Sequence, residues 1–470
     1  MKIVDRREFL RKSAFGAGAA VAASSLGGLI ACNDAVVAGP DGQPQLARAR
    51  RGGGGYGPLA PDPGGLPFLI PEGFTLRRIS RAFDPMKRAG AGLVPTAHDG
   101  MAAFPMSNGN IRLIRNHELR DSVATSTPLG AMPYDAKAPA GCTSLEVRVD
   151  PVTGEPTVID EFVSISGTHV NCAGGPTPWG SWITCEETTE SASPTGRQRN
   201  HGYNFEIPAS AMSEVEAVPL RAMGRFVHEA IAVDRNLGHV YQTEDAGNTS
   251  GFYRFIPNVL GDMTQGGRLQ MLALDGRPRY DSFGGATPAG VPLPAVWVDI
   301  DNPDPETITS TTSVFAQGRA KGGVAFARLE GAWWGDNSVY FNATSGGAAG
   351  AGQVWQYRPT SVDGGQLVLI FESPSRTVLD APDNICVSPR GGIVLCEDGG
   401  GQQYLRGLTR EGQIFDFVAT SSSASELAGA CFAPAGNILF FNQQGSTSST
   451  NTSSPGATFA IWGPWANGVL

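Results

Sequence analysis

Six segments of this chain share one plan: a polar or acidic residue opens an apolar run, a turn follows, a second apolar run returns, and a polar cluster closes it. They run from Asp99 to Glu118, Cys172 to Glu187, Glu229 to Glu244, Glu330 to Thr344, Asp383 to Glu397 and Glu426 to Gln443, with opener and closer 19, 15, 15, 14, 14 and 17 residues apart. Such repeats leave a chain few options, because each strand-turn-strand unit has an apolar face that only its neighbours can bury. The connecting residues carry turn chemistry: Asn108-Gly109, Asn236-Leu237-Gly238, Pro389-Arg390-Gly391-Gly392 and Pro434-Ala435-Gly436-Asn437. Further short apolar runs follow several closers, as at Gly251–Ile256, Gln353–Tyr357 and Leu367–Phe371, giving roughly four strands per unit. The reading is all-β, a six-bladed β-propeller over residues 66–470 with a metal site at its central channel.

Glycine and proline, at 62 and 34 of 470 residues, fit a fold of many short strands and turns. The net charge is −9 and no Lys/Arg block interrupts the body, which excludes nucleic-acid binding through a basic face. An acidic protein still takes anionic substrates where cations neutralise its acids locally.

Residues 1–32 read as an export address. Arg6 and Arg7 precede Phe9 and Leu10 in the pattern of a twin-arginine signal, and the stretch from Ala14 to Ala31 is too short and glycine-broken for a membrane span. Leu29-Ile30-Ala31-Cys32 matches a lipobox, which would make Cys32 a lipidated first residue. Residues 33–65, with Arg51–Gly55 and Pro61–Gly65, read as a flexible low-complexity linker. The expected destination is the periplasm or cell envelope, or secretion. The expected partners are the twin-arginine translocase during export and a membrane reached only through the lipid anchor.

In a propeller the inner strands converge on a central channel, so matching strand ends meet at one mouth. Here those ends carry Glu118, Glu187, Glu229, Glu244, Asp245, Glu330, Asp383, Glu397, Asp398 and Glu426. One acid beside a strand end is usually a solvated turn residue, but acids recurring at corresponding ends of the units are not. Gathered within a few ångströms, they stay ionised only with cations among them. A multi-metal site is therefore expected, in which oxygen ligands suit calcium and a thiolate suits a transition metal. His117 and His228 stand beside two of the acids as candidate ligands or phosphate contacts, with a hydrogen-bonded structural role as the alternative.

Several strings then become recognisable in order: Leu113-Ile-Arg-Asn-His-Glu118, Gly167-Thr168, Asn171-Cys-Ala-Gly-Gly-Pro-Thr-Pro-Trp-Gly-Ser-Trp-Ile-Thr-Cys-Glu-Glu187, Arg225–Ala230, Thr243–Asp245, Phe326–Gly331, Pro382–Asn384, Cys396–Asp398, Glu426–Gly429 and Gly463–Trp465. Together they resemble the PhoX-type alkaline phosphatases over about residues 66–465. The resemblance implies a propeller that hydrolyses phosphate monoesters, with diesters also open, using ferric iron and calcium. It implies that Cys172 is a thiolate ligand to the iron. Glu187, Glu229, Glu244, Glu330 and Glu397 or Asp398 would share the iron and calcium ions. Arg328, beside Glu330, would hold the substrate phosphate in the catalytic step with its guanidinium fork. Asn116 and His117, inside the Arg-Asn-His-Glu string, stand as candidate substrate contacts. A metal-activated water or oxo group would attack phosphorus in line, with no side-chain nucleophile. The sequence departs from the family where units four and six close with Asn342-Ala-Thr-Ser and Asn442-Gln-Gln, neutral oxygens suited to calcium or substrate, and where Ser446–Ser454 reads as a mobile loop.

Beyond Cys32, the cysteines are Cys142, Cys172, Cys185, Cys386, Cys396 and Cys431, expected as mostly buried free thiols. A two-residue turn at Arg390-Gly391 would pair Cys386 with Leu395 and set Cys386 and Cys396 on opposite faces of a hairpin. Two other readings stand beside the phosphatase. One is a calcium-dependent propeller lactonase or esterase, which has no use for a thiolate at Cys172. The other is a non-enzymatic, lipid-anchored propeller that binds ligands at its mouth, for which converging acids are a costly face.

Overall fold

A computed structural model describes residues 54–470; the export address and the linker up to residue 53 lie outside the described residues. The repeat folds as six antiparallel hairpins. They are His98–Pro105 with Ile111–His117, Asn171–Pro176 with Ser181–Glu186, His228–Val233 with Val240–Glu244, Leu329–Gly335 with Ser338–Ala343, Pro382–Val387 with Ile393–Glu397, and Leu427–Phe432 with Ile438–Gln443. The first strand of each hairpin contacts the first strand of the next, and the sixth contacts the first, so these inner strands close a ring. Outer strands extend each unit into a sheet, and those of units three and four join through a short pairing of Leu293–Asp299 with Gly365–Glu372. Strand Thr75–Arg81 pairs with Ala457–Trp462 of unit six, so the start of the body closes on its end. Helix is confined, among the described residues, to Val314–Ala320 and three short 3-10 turns. The architecture is that of an all-β propeller.

A separate hydrophobic core fills each gap between neighbouring units. Ile114 and Phe104 of unit one meet Trp182 and Phe205 of unit two, and Phe252 of unit three meets Phe341 and Trp355 of unit four. Leu113 and Leu145 of unit one meet Ile438 and Phe440 of unit six. Trp333 packs against four of these cores at once, which places its indole on the channel axis. Small residues such as Gly100, Ala173, Ala230, Gly331 and Gly429 line the channel beside it and let the inner strands approach.

Every inner strand carries a β-bulge at the same place. The register slips between His98 and Met101, Asn171 and Gly174, His228 and Ile231, Leu329 and Ala332, Pro382 and Ile385, and Ala428 and Cys431. A bulge bends its strand and re-aims a side chain. The bulged segments hold Asp99, Cys172, Glu229, Glu330 and Asp383 in units one to five. In unit six the segment holds Gly429, so the expected opener Glu426 stands ahead of the strand rather than in it. Gly429 has a φ of +60°, and a Cβ there would lie 2.3 Å from the Asp99 carbonyl oxygen. Gly429→Ala is therefore expected to cost about 2–4 kcal/mol of stability, combining left-handed strain with a backbone clash. Chemical denaturation measures it, and a loss below about 0.5 kcal/mol would contradict the close packing of units one and six.

Two expectations need correction. The described part of the presumed linker is packed. Tyr56 is buried against Phe74, Phe417 and Trp465, its hydroxyl donates to the Leu470 carbonyl at 2.8 Å, and Leu59–Pro61 and Phe68–Pro71 extend the sheet of unit five. The glycine run masked the one large apolar anchor within it. The hairpin of unit five is also wider than a two-residue turn, closing with Ser388 N–H donating to the Gly392 carbonyl at 2.8 Å. Cys386 then pairs with Val394, not Leu395. Cys386 and Cys396 therefore share one core, between units five and six. All six described cysteines are nevertheless free and buried, as expected.

Candidate metal centre

The residue following each second strand is fixed by one recurring hydrogen bond. The N–H groups of Glu118, Glu187, Asp245, Thr344, Asp398 and Gln444 donate to the carbonyls of Ala97, Val170, Val227, Arg328, Ala381 and Glu426 at 2.8–3.1 Å. Side chains alternate along a strand, so the preceding residue turns into the sheets instead. His117 lies between the Thr96 carbonyl and the Thr143 hydroxyl, at 2.8 Å from each. Glu244 accepts from the Tyr253 hydroxyl and from Gly251 N–H. Glu397 accepts from Arg406 Nε at 2.8 Å and Asp380 N–H at 3.0 Å. All three are occupied inside the sheets and away from the mouth, Glu244 and Glu397 contrary to expectation and His117 in the structural role that stood as its alternative. His228 likewise bonds the Gly224 carbonyl at 3.0 Å and packs on Phe226.

The asparagines also differ from expectation. Asn116 is fully buried, and its amide nitrogen donates to the Cys172 and Ala173 carbonyls at 3.0 and 2.7 Å. Its oxygen accepts from Trp182 Nε1 and the Thr184 hydroxyl, both at 2.9 Å. Asn342 donates to the Asp383 carbonyl at 2.7 Å, and Asn442 to that of Asp99 at 2.5 Å. Each asparagine thus pins the bulge of the next unit, a positioning task that leaves Asn116 no donor for substrate.

At the mouth, four groups of possible ligands form a chain that shares its corners. They are Asp99, Glu118 and Cys172; Cys172, Glu187 and Glu229; Glu229, Glu330 and Asp383; and Asp383, Asp398 and Glu426, the ligand atoms of each group lying within 4.8 Å of one another. Glu118, Cys172, Glu187, Glu229, Glu330, Asp383, Asp398 and Glu426 are thereby brought together as the sequence implied. Asp99 joins them although it was not among the expected ligands; its place as the opener of unit one, matching Cys172 in unit two, was the available signal. Gln444, in the Asn442-Gln-Gln cluster expected to offer neutral oxygens, instead uses its amide nitrogen, which donates to Asp99 at 3.0 Å and Glu426 at 2.8 Å, and also to Glu118.

The electrostatics fit cations. Both oxygens of buried Glu229 have no hydrogen-bond partner among the described residues, which is costly for a carboxylate unless an ion takes the place of a donor. Burial first, and then mutual repulsion, raise Glu118 and Glu187 to about 8 and Asp383 to about 7. The same causes hold Asp99, Glu229, Glu330 and Glu426 well above the ordinary carboxylate range. The Cys172 thiol is pushed well up by burial and by Asp99, Glu229, Glu118 and Glu187. A bound cation reverses this bias, since its ligands must deprotonate. The donor set is graded: a thiol among carboxylates at one end, oxygens alone at the other.

Arg328 borders this chain. Its Nε donates to Asp245 at 3.1 and 3.2 Å, its Nη2 to Asp245 at 2.9 Å and Glu330 at 2.8 Å, while the side chain stays 41% exposed. Asp245, expected as a ligand, instead orients this guanidinium. The Arg328 backbone is left-handed, φ +49°, as are those of Ala97, Val170 and Ala381 at the same entrance position of other units. The repeat itself therefore sets the angle at which the arginine enters the mouth.

Behind Glu187, the buried Glu186 accepts from His201 Nδ1 at 2.7 Å, and Asp135 lies 3.3 Å from Nε2. Burial opposes the imidazolium, but the two carboxylates override it and raise His201 to about 9. Asp135 is lowered to about 2, its own burial outweighed by His201 and three backbone N–H groups. The His201 contribution is complete below its unfolded value near 6.5 and is lost as pH rises through about 9; that of Asp135 is lost only as pH falls through about 2. His201→Gln is expected to cost about 3 kcal/mol near pH 6, with the gap to the parent protein narrowing above about pH 9. Urea unfolding across that range measures it, and a gap that widens with pH would be the contrary result.

A family model described as alkaline phosphatase PhoX matches residues 54–446. Among solved structures, PhoX of Pseudomonas fluorescens in complex with vanadate, a transition-state analogue, is similar with a TM-score of 0.65 at 18% identity, covering 89% of this chain and 99% of that one. A gluconolactonase of Xanthomonas campestris covers 87% of this chain and 98% of its own at 12% identity, with a TM-score of only 0.39. No curated protein matches the sequence. The family model spans most of the body, the first of these structures shares its fold, and the chain belongs to the PhoX alkaline phosphatase family.

Proposed function

We propose that this chain is an exported phosphatase that hydrolyses phosphate monoesters, with iron at the Cys172 end of its ligand chain and calcium at the oxygen-only end. A metal-dependent phosphatase follows from the family. One observation supports the finer reading: five of the six bulges bring a side chain able to ligate a metal to one mouth, and the only sulfur among them is Cys172. Asp99, Glu118, Cys172, Glu187 and Glu229 would hold iron, because thiolate with carboxylate suits a transition metal. Glu330, Asp383, Asp398 and Glu426 would hold calcium, which takes oxygen ligands. When bound, the ions supply Lewis acidity toward phosphoryl oxygens and lower the pKa of water. The chain's own residues bind and orient: Arg328 keeps Nη1 free of the bonds to Asp245 and Glu330, ready to donate to the transferring phosphoryl group. We count the six units as six blades, on the closed ring of inner strands and the core in each gap.

The location belongs to this proposal. The Arg6-Arg7 signal and the Cys32 lipobox support passage through the twin-arginine translocase and a lipid-anchored life in the periplasm or envelope. The function is tested by following release of inorganic phosphate from p-nitrophenyl phosphate at alkaline pH, beside hydrolysis of a lactone and of p-nitrophenyl acetate. Chelator-sensitive release of phosphate alone is expected. Turnover of lactone or acetate without phosphate release would overturn it.

A further inference from the structure

A second arginine stands at the mouth, and neither the repeat nor the family strings point to it. Arg120 follows Glu118 by two residues, and its Nη2 donates to Glu118 and to Glu187, one acid from each ligand group that shares Cys172. Its Nε and Nη1 make no hydrogen bond among the described residues, and the side chain is 48% exposed. Arg328 is built alike, paired to Asp245 and Glu330 with Nη1 left over. The two are linked through the ligand chain itself: Arg120 bonds Glu187, Glu187 shares a group with Glu229 and Glu229 with Glu330, and Glu330 accepts from Arg328.

The backbone of Arg120 is clasped from outside. Its N–H donates to the Thr447 carbonyl at 2.9 Å. The next residue, Asp121, accepts from the Ser448 hydroxyl at 3.0 Å and from Ser449 N–H at 3.0 and 3.2 Å, while its carbonyl accepts from Arg197 Nη2 at 2.7 Å. The segment Ser446–Ser454, expected as a mobile loop, is thus tied to the mouth. Once cations sit on Glu118 and Glu187, an arginine is not needed to neutralise these acids. A carboxylate has about four lone-pair sites and can serve an ion and the guanidinium together. The positive charge and the N–H groups of the two idle nitrogens, Nε and Nη1, then remain for an anion.

We propose that Arg120 is a second substrate-binding residue, facing Arg328 across the mouth and positioned by the Asp121–Ser448–Ser449 clasp, and that it selects dianionic phosphate monoesters over monoanionic diesters. The proposal rests on the phosphatase reading of the site. At alkaline pH a monoester carries two negative charges and a diester one, so a second guanidinium rewards the monoester more.

The test is steady-state kinetics of the full protein and of Arg120→Ala, Arg120→Lys, Asp121→Asn and Arg328→Ala. Substrates are p-nitrophenyl phosphate and bis-p-nitrophenyl phosphate, inorganic phosphate serves as competitor, and the metal content of each variant is measured. Arg120→Ala is expected to raise KM for the monoester and Ki for phosphate by at least about tenfold with metal content intact, and to move diester KM less than about threefold. Arg120→Lys should recover part of the loss, and Asp121→Asn should shift Ki the same way by less. An unchanged Ki in Arg120→Ala, with Arg328→Ala impaired, would overturn the proposal. So would loss of metal from Arg120→Ala, which would make the arginine an internal counter-charge. Absence of phosphate release from the unaltered protein would instead remove the reading beneath it.

Discussion

Stripping the bound cations at about pH 9 is expected to stop phosphate-ester hydrolysis and to lower the melting temperature by at least about 10 °C, whereas at about pH 5 the thermal loss is expected to be only a few degrees. The asymmetry comes from the acids at the mouth. In the metal-free protein, burial and mutual repulsion raise Glu118 and Glu187 to about 8 and Asp383 to about 7, and hold Glu229 and Glu330 well above the ordinary carboxylate range. Each such carboxyl keeps its proton in the folded chain at pH values where the unfolded chain has released it. Its contribution to stability is therefore fully present below the unfolded value near 4.3 and is lost as pH rises through the folded value. Cations reverse the sign, because they bind the deprotonated ligands and hold them only in the folded protein. Thermal unfolding with and without chelator over this range measures both terms. A chelator effect equal at the two pH values, or larger at the lower, would contradict it.

Arg328→Ala is expected to lower kcat/KM for phosphate monoesters by about a thousandfold, or about 4 kcal/mol of transition-state stabilisation. The guanidinium is fixed from both sides, by Asp245 on Nε and Nη2 and by Glu330 on Nη2, so it loses little freedom when substrate arrives. Arg328→Lys should recover less than a tenth of the loss, since an ammonium does not reproduce the planar fork. Asp245→Asn, which weakens the orienting pair, should act mainly on kcat with a smaller effect. The kinetics of the three variants settle the order, and a loss below about tenfold for Arg328→Ala would mean that this arginine does not grip the reacting group.

Most of the ring was legible in the sequence because the repeat records it: all six hairpins formed within a residue or two of where the apolar runs and turns placed them. What the repeat does not record is which of two adjacent acids faces the mouth. Glu-Asp and Glu-Glu dyads close units two, three and five, and strand alternation sends Glu187, Asp245 and Asp398 one way and Glu186, Glu244 and Glu397 the other. A one-residue choice of register decides this, and composition carries no trace of it. The bulges were equally silent, although they explain why Asp99 reaches the mouth and why unit six, with Gly429 in that place, brings no side chain there. Asn116 looked like a substrate contact because it lies in the Arg-Asn-His-Glu string that ends on Glu118. Its task is to hold the carbonyls of the Cys172 bulge from the neighbouring unit, a contact across 56 residues.

The most direct measurement is the metal content of the purified protein beside that of Cys172→Ala, by elemental mass spectrometry. The expected result is iron with calcium in the parent protein, and a variant that folds, keeps calcium, loses iron and no longer hydrolyses phosphate esters. A parent protein free of metal yet fully active, or a variant with the same iron content as its parent, would contradict the metal centre built on the bulge ring.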